Sequence, residues 1–180
     1  MKGSGNRPLK SASPSPPSQP GHRIGPSRKT RSVTDHPIRF FATDAEVSHL
    51  GEGLLACTLR REEWTHEAHL AACLYLLSER PDVDVDAEIA GLIRRFNQSV
   101  GGVNDDGQGY HETITRAYVA GVRLFLRQHP GPRATAERVN ALLMSPMGWR
   151  DWPLRFYSKE LLFSVPARRG FVAPDLMPLP

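Results

Sequence analysis

Apolar residues recur three and four positions apart in five stretches of this chain. They are Val47, Leu50, Leu54 and Leu55; Leu70, Cys73, Leu76 and Leu77; Ile89, Leu92, Ile93 and Phe96; Ile114, Tyr118, Val122 and Phe125; and Val139, Leu142 and Leu143. A period of 3.6 puts each set on one face of a helix. Residues able to cap a helix precede several of them: Thr43 with Glu46 at capping-box spacing, Thr65, and Asp84 or Asp86. The expected fold is therefore all-α: a single-domain up-and-down bundle of about five helices. They fall at about 44–58, 66–79, 86–99, 110–128 and 134–144. Gly51 and Gly53 weaken the first helix but permit close packing. Beyond 144 come an aromatic cluster (Trp149, Trp152, Leu154, Phe156, Tyr157), a turn opened by Ser158, another opened by Ser164 with Pro166, and an extended strap over 174–180.

Residues 1–37 differ in kind from the rest. They are rich in Ser, Pro and Gly, nearly lack large apolar side chains, and carry seven Lys/Arg against one acid, Asp35. Such a segment cannot bury enough surface to order itself, and a disordered basic tail is expected, with a helical domain over 38–180. Removing the tail leaves 16 basic and 18 acidic residues, so the net +4 of the chain belongs to the tail. The folded part thus offers no basic groove for nucleic acid, and the tail lacks aromatic residues to stack bases. Its prolines exclude an amphipathic transit helix, no apolar stretch reaches membrane-spanning length, and a cytoplasmic protein is expected. Cys57 and Cys73 form no CxxC or metal-finger spacing and read as buried thiols.

The chemistry-bearing residues cluster at two helix starts. His66 and His69 share a face with Leu70, Cys73, Leu76 and Leu77, so both point inward at the first turn after Thr65. His111 falls on the stripe of Ile114, Tyr118, Val122 and Phe125 and also points inward. Short connections make consecutive helices antiparallel, so the second and fourth run parallel with their N-termini at one end. That places His66, His69 and His111 together, beneath a Gly/Asp-rich loop at 100–109 that is positioned as a lid. Helix N-termini disfavour protonation of imidazole, and neutral imidazole is the metal-binding form.

Three blocks of sequence carry a resemblance: Trp64-Thr65-His66-x-x-His69-Leu70; Gly109-Tyr110-His111-Glu112-Thr113-x-Thr115; and Tyr157-Ser158-x-Glu160-x-Leu162-Phe163-Ser164-x-x-Ala167-Arg168 followed by Pro174-Asp175-x-x-Pro178-Leu179-Pro180. Together they resemble a family of bacterial proteins across most of residues 62–180. The resemblance supports the domain boundaries and implies no activity.

Three histidines from two helices can fill three positions around Zn, Fe or Cu and leave one open for water or substrate. The expectation is a metal-dependent enzyme acting on a small molecule, with His66, His69 and His111 as ligands. Glu112 is the leading acid/base candidate with Glu67 behind it, and Tyr157 and Arg155 are catalytic or substrate contacts, with Lys159 beside them. The alternative is a non-catalytic helical binding module in which the histidines are structural. His66-Glu67-Ala68-His69 is one residue short of H-E-x-x-H, so a metalloprotease is excluded. Two E-x-x-H matches, Glu46 to His49 and Glu63 to His66, lack the further carboxylates of a di-metal bundle. The loop at 100–109 fails the calcium pattern at both ends. Neither GxGxxG nor GxxxxGK[ST] occurs.

Overall fold

Side-chain caps mark the start of every helix except the one at Thr135–Met144. The computed structural model describes residues 37–180 together with Met1 and Gly3; the expected tail over 1–37 lies almost wholly outside the described residues. Helix α1, Asp44–Ala56, is capped by Thr43, whose hydroxyl accepts from Glu46 N–H at 3.3 Å, while Glu46 returns to accept from Ala42 N–H at 3.1 Å. It stops two residues short of the expected 58 because Cys57 turns into the left-handed region, with φ 55°. Helices α2, His66–Glu79, and α3, Val85–Ser99, start after Thr65 and Asp84. Helix α4, Glu112–Gln128, begins after His111 rather than at 110; the histidine is its cap. Helix α5 is Thr135–Met144, and Ser158 and Ser164 open two short helices, α6 (Lys159–Leu162) and α7 (Val165–Arg169).

The molecule is all-α as expected, and no strand occurs among the described residues. Three 3-10 turns, Arg61–Glu63, Pro146–Gly148 and Trp152–Arg155, lie outside the expected helices. Helices α1 and α2 form the closest pair, and Gly51 allows it: a Cβ there would run into the Tyr75 ring. Helix α5 closes over them. Asn140 clamps the backbone of Phe41 through both its amide groups, at 2.9 and 2.8 Å, and Ala136 N–H donates to Asp44 at 2.8 Å. The core joins faces of all five long helices; Leu54, Leu74, Leu92, Phe125 and Leu142 are each almost completely buried. Each such side chain contributes about 1.5–3 kcal/mol of transfer free energy.

The segment after α5 folds back onto α4. Trp152 donates from Nε1 to the Ala117 carbonyl at 3.2 Å over Gly121, and Tyr118 Oη donates towards the carbonyls of Trp149 and Arg150, each at 3.1 Å. The expected strap is present. Leu176 N–H donates to Phe156 O at 3.0 Å and Asp175 accepts from Ser158 N–H at 2.8 Å, while just before the strap Tyr157 Oη donates to Val172 O and Thr113 Oγ1 to Gly170 O, each at 3.0 Å. These bonds draw α7 to the start of α4. No helix among the described residues is long and apolar enough to cross a membrane.

Candidate functional site

The N-terminal turns of α2 and α4 open onto one cavity of about 700 Å³. Leu54, Leu70, Ile89, Ile93 and Val119 form its apolar wall, and His66, His69 and His111 all line it. The starts of both helices line one space, as the sequence led us to expect.

Each imidazole is held by a backbone group, and the partner fixes its tautomer. His66 donates from Nε2 to the Gly148 carbonyl at 2.8 Å, leaving a lone pair on Nδ1. Its ring meets Tyr118 edge-on, centroids 5.5 Å apart. His69 donates from Nδ1 to the Thr65 carbonyl at 2.7 Å, leaving a lone pair on Nε2, and its ring lies 4.0 Å from that of Trp64. The His69 ring is exposed to the open space of the cavity.

His111 differs. Its Nδ1 accepts from Ile114 N–H at 3.4 Å, so the neutral ring carries its proton on Nε2 and presents a donor. That Nε2 is buried without a hydrogen-bond partner; the Leu162 carbonyl is near enough to favour protonation but does not complete a bond. Among the described residues, no three His, Cys, Asp or Glu side chains are grouped to hold a metal ion. The Nδ1 of His111 is occupied by its cap on α4. His66 and His69 keep free lone pairs.

All three rings are held neutral. Burial is the largest cause of the lowered pKa of His66, with Arg150 adding to it against the Gly148 carbonyl. Burial likewise brings His69 down to about 4, and lowers His111 with help from Arg168. Cys73, on the cavity wall one turn beyond His69, is pushed by burial up to about 12 and stays a thiol at neutral pH.

The expected catalytic side chains are not brought to this cavity. Glu112 lies on the polar side of α4, accepting from Tyr110 Oη at 2.9 Å and from Arg116 Nε at 2.7 Å. Tyr157 is completely buried, and its hydroxyl is used on the strap. Arg155 is exposed with its guanidinium 5.5 Å from the Trp152 ring centre. The 3-10 turn Trp152–Arg155 sends these neighbours to the core, the strap and solvent. Glu67 is buried, 3.5 Å from Arg150. The loop at 100–109 is pinned rather than free. Asp105 accepts from Gly107 and Gln108 N–H, Asp106 takes a two-pronged bond from Arg169 at 2.7 Å, and only Gly109 reaches the cavity.

Sequence reasoning missed Arg150, Arg168, Tyr118 and Trp64, which all line the cavity. Arg168 stood inside one of the recurrent blocks, which was a usable signal. Arg150 had none, because its position depends on the long-range bond to Gly148. No protein-family model, curated protein or solved structure matches the chain.

Proposed function

We propose that the cavity is the site of an enzyme acting on a small organic molecule, with Nδ1 of His66 and Nε2 of His69 as its working groups. What supports this is that two neutral imidazoles, each oriented by a backbone carbonyl, keep their second nitrogen unused in a cavity of ligand size. Orientation of one ring nitrogen to free the other is how proteins prepare imidazole as a proton acceptor or as a metal ligand. A zinc, iron or copper ion would be held at these two nitrogens and would supply a Lewis acid or a bound hydroxide. His111 joins them only by giving up its cap on α4. The cytoplasm suits the two free thiols, Cys57 and Cys73.

Elemental mass spectrometry on untagged protein, with His66→Gln and His69→Gln beside it, tests the reading together with a thermal-shift screen of small molecules. About one metal per chain, lost in both variants, assigns the lone pairs to a metal. Metal-free protein with ligands that depend on His66 and His69 assigns them to proton transfer. Protein that ignores both metals and small molecules contradicts the proposal. Ligands that bind the variants unchanged favour the non-catalytic binding module.

A further inference from the structure

Two features of the cavity agree on the charge of its ligand. Its lining contains Arg150 and Arg168 and, among the described residues, no Asp or Glu. Arg150 is partly answered from behind by Glu67 at 3.5 Å. Arg168 forms no salt bridge among the described residues; it donates from one guanidinium nitrogen to the carbonyls of Gly109 and Tyr110, at 3.3 and 3.2 Å. The second feature is the pair of long helices whose N-termini end here, where free N–H groups carry partial positive charge.

We infer that the cavity binds an organic anion: an apolar body against Leu54, Ile89 and Ile93, and an oxyanion group seated at Arg168. The inference rests on the small-molecule reading above and names its ligand class. Such a ligand has its acidic group held at the start of α4 and its body directed towards His66 and His69. Phe163, exposed, lines the same cavity.

A matched pair of fluorescent probes tests this on the full chain. 8-Anilinonaphthalene-1-sulfonate and N-phenyl-1-naphthylamine share one aromatic body, and only the first carries an anion. At low salt the sulfonate binds at least about tenfold more tightly. Arg150→Gln and Arg168→Gln each remove one of the two charges that line the cavity. Each weakens the sulfonate by about tenfold and leaves the neutral probe within about twofold, with circular dichroism unchanged. Equal affinity for the two probes, or a loss in the variants shared equally by both, overturns the anion while sparing the cavity as a small-molecule site. Failure of both probes to bind overturns the inference and the reading it rests on together.

Discussion

His66 donates from Nε2 to the carbonyl of Gly148 at 2.8 Å, across 82 positions of the chain. This bond fastens the first turn of α2 to the 3-10 turn that precedes Arg150 on the cavity wall. Gly148 is packed so closely that a Cβ would stand 2.7 Å from Leu143 Cα. Gly148→Ala is therefore expected to destabilise the protein by about 1–3 kcal/mol in urea denaturation, through overpacking against backbone. An unchanged midpoint would show that the turn is free to move, and that Arg150 is not fixed at the site.

Stability should depend on pH through the histidines. Their folded pKa values lie below the ordinary 6.5, that of His69 at about 4, so between these limits the unfolded chain binds more protons than the folded one. The histidine contribution is complete above about pH 6.5 and is lost as pH falls towards 4. His69→Gln should flatten that decline, measured as the slope of unfolding free energy against pH. An identical slope in the variant would mean that His69 titrates as an ordinary exposed histidine.

The cap on α4 gives a sharper contrast. His111→Ala removes the acceptor for Ile114 N–H and should cost about 0.5–2 kcal/mol, whereas His111→Asn, a better cap than alanine, should recover most of it. Equal losses in the two variants would mean that the capping bond contributes nothing.

Helix starts were legible because capping is local: Thr43, Thr65, Asp84, Ser158 and Ser164 all accept from N–H groups two or three residues on. His111 does the same, but imidazole is not a usual cap, and it passed for a first-turn residue. That His66, His69 and His111 line one cavity was legible too, whereas no grouping of the three that could hold a metal is found among the described residues. Their tautomers were not, since those depend on where the Gly148 and Thr65 carbonyls fall. Tyr157 and Arg155 were misread because 3-10 turns have no apolar period to show which way a neighbour faces.

Tyr157 and Arg155 supply a control. Tyr157→Phe removes the bond to the Val172 carbonyl and should cost about 0.5–1.5 kcal/mol of stability. Neither it nor Arg155→Ala should alter ligand affinity, because neither side chain lines the cavity. A loss of binding in Arg155→Ala at unchanged stability would return that arginine to the site.

Long-range ¹H–¹⁵N NMR of the imidazoles, recorded across pH with and without ligand, is the most direct measurement. His69 should carry its proton on Nδ1 and remain neutral to about pH 4, His66 and His111 should carry theirs on Nε2, and the unprotonated nitrogens of His66 and His69 should respond to bound ligand or metal. Histidines that titrate near 6.5, exchange between tautomers and ignore every ligand would contradict a site built on their lone pairs.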